Sequence, residues 1–173
     1  MPLFDEESLY RFKRDLVCMF ERLNRHQFRT LVFLLAKAEL QGFSVFKKYP
    51  AYGTILQDVD VYAECVNNNK IVKKVFIDCE DTDWMTTELM DAEVAYRDDL
   101  VKKGFMDPAR DVFWVVVPTR FDVSCLSYTK LENFEMKDFS WLIKSIRRYF
   151  PHYKELRQFI QTLQSAKLLP SPI

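Results

Sequence analysis

Five acidic residues recur at alternating positions within one short stretch of this chain: Asp58, Asp60 and Glu64, then Asp78 and Glu80. They sit on two β-forming runs, Ile55–Val66 and Ile71–Cys79, separated by Asn67-Asn68-Asn69. Asparagine tolerates left-handed backbone and hydrogen-bonds locally through its side chain, so the triplet predicts a hairpin turn. Alternation along a strand puts Asp58, Asp60, Tyr62 and Glu64 on one face of the first run. Phe76, Asp78 and Glu80 share one face of the second. If the two faces coincide, three or four carboxylates converge on a small patch of sheet. Like charges that close oppose one another's ionisation, and a bound cation relieves them. A solvated hairpin face is the simpler account of alternating acids. It is disfavoured because no basic or threonine side chain stands between the acids on that face, and like charges across a strand pair destabilise it.

The flanking elements must supply a sheet for this hairpin. Leu9, Phe12, Leu16, Met19, Phe20 and Leu23 recur at helical spacing, and a second helix is expected over about Gln27–Leu40, stopped by Gln41-Gly42. Phe43–Phe46 reads as a short strand. After the hairpin, Asp81-Thr82-Asp83 predicts the start of a helix from about Trp84 to Lys103, with Met85, Leu89, Ala92, Tyr96 and Leu100 as its apolar face and Gly104 as its end. Val112–Val117 is continuously β-branched or aromatic, as expected of a strand buried on both faces. Phe121–Thr129 reads as a weaker strand. Helices follow over about Phe139–Phe150 and from Pro151 to about Lys167. The expected fold is α/β (α+β): a central mixed sheet of four to five strands flanked by helices. One domain over residues 1–173 is expected, with an N-terminal helical part at 5–41, a core at 39–118, C-terminal helices at 138–167 and a frayed tail from Leu168.

Composition narrows the chemistry. The 173 residues are 49% apolar and 15% aromatic, enough for a substantial core. With three glycines and neither GxxxxGK[ST] nor GxGxxG, no phosphate loop or dinucleotide fingerprint is present. Twenty-five basic residues balance twenty-five acidic ones, so any nucleic-acid contact must come from local patches. Two such patches are legible. Arg11, Arg14, Arg22 and Arg25 form a ridge with Arg29 in phase, and Lys144, Arg147 and Arg148 form a second zone. Both are equally compatible with solvated helix faces. Cys18, Cys65, Cys79 and Cys125 form no CxxC, and a reducing compartment is expected. The N-terminus lacks a signal-peptide pattern and no apolar run is long enough to span a bilayer, so a cytoplasmic protein without membrane contact is expected. His26 and His152 have no nucleophile beside them in sequence.

The order helix, strand, two-stranded hairpin, helix, strand resembles the core of the PD-(D/E)xK nuclease superfamily, the restriction-endonuclease-like fold. Asp58-Val-Asp60 resembles the first half of its motif and Val75-Phe-Ile-Asp78-Cys-Glu80 the second. The resemblance covers about Glu39–Pro118. It implies Asp60 as a metal-binding aspartate with Asp58 as the fallback, Asp78 and the Cys79 backbone carbonyl as further ligands, and Glu39 as a helical carboxylate at the metal. The motif lysine is replaced by Glu80, which could bind a second ion or orient the attacking water. Lys74 is in phase with Asp78 but far up the strand, and Lys102 or Lys103 could substitute only if the helix places them. The implied function is hydrolysis of phosphodiester bonds in nucleic acid, DNA being the expected class. It would use Mg²⁺ or Mn²⁺, since hard cations select carboxylate and carbonyl oxygens. The alternative is an inactive nuclease-like fold that binds nucleic acid or protein, which the missing lysine favours. Members of the superfamily often act as dimers, so a homodimer is compatible. A helical DNA-binding regulator ranks last, because no helix-turn-helix pattern is present.

Overall fold

The computed structural model describes residues 14, 16, 19–20, 22–48 and 59–166. Asp58, Arg11, Cys18 and the C-terminal tail lie outside the described residues. Helix α1 (Arg25–Glu39) opens with a capping box: Asn24 Oδ1 accepts from the Gln27 N–H at 2.8 Å, and the Asn24 N–H donates to Gln27 Oε1 at 3.0 Å. Two unpaired donors of the first turn are thereby satisfied. The chain continues through β1 (Val45–Lys48), β2 (Val61–Asn67), β3 (Lys70–Cys79), α2 (Thr87–Lys102), β4 (Val112–Val116), a 3₁₀ segment Val123–Lys130, β5 (Phe134–Lys137), α3 (Phe139–Tyr149) and α4 (Lys154–Ser165). No helix among the described residues is long and apolar enough to cross a membrane.

The five strands form one mixed sheet in the order β1-β2-β3-β4-β5. β1, β2 and β3 pair antiparallel, and β3, β4 and β5 pair parallel. The β2–β3 hairpin turns through Asn68 and Asn69, with φ of 49° and 60°. Two successive left-handed residues match the twist of the flanking strands, and asparagine reaches that region more readily than most residues. Alternation divides the sheet between two cores. Val61, Ala63, Val75, Ile77, Cys79, Trp114 and Val116 pack with α1, α3 and α4. Tyr62, Phe76, Phe113, Val115 and Phe134 pack on the other face with Met90 and Leu100 of α2 and with Cys125 of the 3₁₀ segment. Both faces of β4 are therefore covered, which accounts for its unbroken apolar sequence.

Two elements depart from expectation. Phe121–Thr129 is not a strand, because Asp122 caps a 3₁₀ helix by accepting from the Ser124 N–H at 2.8 Å. The fifth strand lies further on, at Phe134–Lys137. Helix α2 starts at the Thr86 cap, whose Oγ1 accepts from the Leu89 N–H at 3.4 Å, three residues later than the acidic Asp81–Asp83 suggests. Its buried residues are Met90, Glu93 and Leu100, while Leu89 and Ala92 are exposed.

Strand β3 is fastened at two points by aspartates that each immediately precede a neighbouring strand. Before β4, Asp111 is fully buried (0% exposed). Its Oδ1 accepts from the Lys74 N–H at 2.8 Å and from Arg110 Nε at 2.8 Å, and its Oδ2 accepts from the Asp107 N–H at 2.8 Å. Before β2, Asp60 Oδ2 accepts from the Cys79 N–H at 2.7 Å. Each carboxylate thus serves as an extra rung where its own strand has not yet begun.

Burial raises the Asp111 pKa, but Arg110 and the Asp107 and Lys74 N–H groups outweigh it and hold the carboxyl below its ordinary 3.8. That stabilisation is present above the unfolded-state pKa and is lost as pH falls through the lower folded-state value. Asp111→Ala should lower unfolding free energy by about 3 kcal/mol, because it strands buried donors and a guanidinium. Urea denaturation at pH 7 measures this, and an unchanged midpoint would contradict the fastening role.

Candidate metal centre

Register brings the two acidic faces together. Tyr62 pairs with Phe76, and their rings meet at 5.3 Å. Continuing past the start of β2, Asp60 then falls beside Asp78 on the face covered by α2. Asp60 is 3% exposed and Asp78 7%. Glu80 is half-buried just beyond β3, where its N–H donates to the Val116 carbonyl at 2.9 Å. From α2 a fourth acid, Glu93, points into the same place and is 6% exposed. One oxygen each from Asp78, Glu80 and Glu93 lies within 4.8 Å of the others. Carboxylate oxygens around Mg²⁺ stand about 2.0–2.1 Å from the ion, so modest side-chain adjustment closes such a triad on one cation.

The two kinds of acid are held differently. Asp60 is fully engaged, with Oδ1 ion-paired to Arg29 Nε and Oδ2 bonded to the Cys79 N–H. Glu93 Oε2 is buried without a hydrogen-bond partner. Burial, together with the neighbouring Glu80, pushes the Glu93 carboxyl from an ordinary 4.5 up to about 8. Burial also raises Asp78 well above its ordinary range, and Glu93 and Asp60 add to the effect. An uncompensated buried carboxylate is unfavourable. An all-oxygen donor set of this kind suits Mg²⁺, Mn²⁺ or Ca²⁺. The residues present therefore fit a hard divalent ion, and Asp78, Glu80 and Glu93 are the ones that would hold it.

A cleft of about 280 Å³ opens over the triad, lined by Arg25, Arg29, Asp78, Glu80, Ala92, Glu93 and Tyr96. Not every expected site residue reaches it. Glu39 is a correction: its Oε2 accepts from the Trp141 indole N–H at 2.9 Å. It lies ten residues along α1 from Arg29, about 15 Å at the helical rise, so α1 turns its arginine end to the acids instead. The Cys79 N–H faces Asp60, and the carbonyl of a strand residue points to the same side as its N–H. None of the expected replacement lysines enters the cleft. Lys74 Nζ donates to the Phe105 carbonyl at 2.9 Å, and Lys102 and Lys103 are exposed at the far end of α2. Of the basic positions, Arg25 lines the cleft. Arg14, Arg22, Lys144, Arg147 and Arg148 are exposed elsewhere. Sequence reasoning missed Glu93. The signal for it was its place on the stripe Met90, Glu93, Arg97, Leu100, which emerges once the helix start is set at Thr86.

Between the ordinary value of 4.5 and about 8, Glu93 is protonated when folded and ionised when unfolded. Its contribution is fully present below the unfolded-state pKa and declines as pH rises to the folded one. In EDTA the protein should therefore lose thermal stability between pH 5 and 8. Glu93→Gln should flatten that profile and raise stability at pH 8 by on the order of 3 kcal/mol. The melting profiles of both proteins across this range decide the point, and parallel curves would count against it.

Neither a family model nor a curated protein matches the sequence. Among solved structures, the chain is similar to the MspJI restriction endonuclease in complex with a 27-mer oligonucleotide, with a TM-score of 0.59 and 13% identity. The likeness covers 94% of this chain and 36% of that one, so the chain spans about a third of that protein's length. With its five-stranded mixed sheet between helices, the chain has a restriction-endonuclease-like fold.

Proposed function

We propose that this chain is a divalent-metal-dependent nuclease that hydrolyses phosphodiester bonds, with DNA as its expected substrate. The observation that carries the reading is the Asp78–Glu80–Glu93 triad, in which one buried Glu93 oxygen has no hydrogen-bond partner among the described residues and Glu93 lines a cleft. The restriction-endonuclease-like fold and the oligonucleotide bound to its structural neighbour support nucleic acid as the ligand.

A Mg²⁺ or Mn²⁺ ion held by the triad would supply charge neutralisation and Lewis-acid polarisation of a phosphoryl oxygen. Asp78 holds its place because β3 is locked on both sides, and Glu93 because α2 packs on the same face. Asp60 serves chiefly as a positioning group, fixing the Cys79 peptide and Arg29. Glu80, half-buried at the mouth, is the group able to accept a proton from an attacking water. The exposed Arg22, Lys144, Arg147 and Arg148 offer further contacts to a phosphate backbone.

Among the described residues no lysine lines the cleft, which favours a second reading, a nuclease-like module that binds nucleic acid or protein without cutting. Incubation with single-stranded, duplex and branched DNA and with RNA, in Mg²⁺ or Mn²⁺, separates the two. Metal-dependent cleavage reduced at least about 10³-fold in Asp78→Ala is the expected result. Calorimetric Mn²⁺ binding without cleavage of any substrate would leave the binding module. Absence of both cleavage and metal binding would overturn the nuclease reading and leave the binding module.

A further inference from the structure

We propose that Arg25 is the phosphate-binding cation of this site, doing from helix α1 what a strand lysine would otherwise do; this rests on the nuclease reading of the same cleft. Arg25 is the first residue of α1 and lines the same cleft as Asp78, Glu80 and Glu93. It is exposed, and it has no ion pair or hydrogen bond to another side chain among the described residues. Arg29, one turn further along the same helix face, is committed to Asp60. Of the two arginines on that wall, Arg25 is therefore the one free to meet a ligand.

Charge arithmetic explains why the site requires it. Once ionised, Asp78, Glu80 and Glu93 carry three negative charges, and one divalent ion offsets two of them. The third would repel an incoming phosphodiester, which itself carries a negative charge. Arg25 offsets it and presents a planar fork matched to two phosphate oxygens. The positive end of the α1 dipole lies at the same residue and adds to the attraction. Lys74, Lys102 and Lys103 are too distant to take this part, and Glu80 stands where a strand lysine would have been.

The test uses the full chain and the exposed-site variants Arg25→Ala and Arg25→Lys, in two assays. A fluorescent single-stranded or duplex oligonucleotide is titrated by anisotropy in Ca²⁺, and cleavage is timed in Mn²⁺. Arg25→Ala should weaken oligonucleotide binding about 5- to 10-fold and make its salt dependence shallower by about one phosphate contact. Cleavage should fall about 10²-fold or more. Arg25→Lys should recover part of both. Mn²⁺ affinity by calorimetry should be unchanged or higher, since a nearby cation has been removed. Unaltered anisotropy in Arg25→Ala overturns the proposal, and so does loss of Mn²⁺ binding, which would make Arg25 part of the scaffold. If the wild type binds Mn²⁺ and oligonucleotide but never cleaves, the catalytic reading fails. The anisotropy of Arg25→Ala still decides the phosphate contact in that case.

Discussion

Everything at the centre of this molecule depends on carboxylates that the protein brings together and shields from water. Asp78 and Glu93 are buried between β3 and α2, and Arg29, which lines the same cleft, is already bound to Asp60. Desolvation of like charges raises their pKa values and works against the folded state. Such an arrangement is stable only within a framework that tolerates the loss. The two-sided core around β4 and the fully satisfied Asp111 provide it. The contrast between Asp111, with every oxygen bonded, and Glu93, with a bare one, separates an acid that builds from an acid that waits for a ligand.

Asp60 is the joint between these two roles. It bonds the last peptide N–H of β3 and receives the side chain of α1, so one residue fixes the end of the strand and the angle at which the helix faces the cleft. Its backbone N–H also donates to the Ile77 carbonyl of β3 at 3.0 Å, so main chain and side chain both hold that strand. The arginine it holds sets the phase of α1, and that phase in turn sends Arg25 to the cleft and Glu39 to Trp141.

Much of this was legible in the sequence. The asparagine turn, the alternation that brings Asp60 beside Asp78, and the unbroken apolar run of β4 each follow from a local rule, and the structure has all three. What was not legible depended on phase or on distant partners. Asp81-Thr82-Asp83 before Trp84 resembles a helix start, yet Thr86 makes the cap, and that shift moves Glu93 from the solvated side to the cluster. Helix α1 is apolar almost all round, so its sequence does not say which end meets the sheet edge. Glu39, expected at the metal, lies instead against the Trp141 indole. The strand expected at Phe121–Thr129 lost to a side-chain cap at Asp122, an interaction that propensity does not register. Asp58 lies outside the described residues, and its role as an alternative to Asp60 rests on the motif alone.

The pair of aspartate rungs on β3 has an effect on how this site can change over time. A slip of β3 by one residue would turn Asp78 to the opposite core, and both rungs prevent it. Neither rung involves Glu80 or Glu93. The groups that define the chemistry therefore sit on a strand and a helix whose placement does not depend on them. Altering them changes what the cleft can hold while the scaffold stays in register. A fold arranged in this way can exchange, weaken or lose what its cleft holds one residue at a time without passing through an unfolded ancestor.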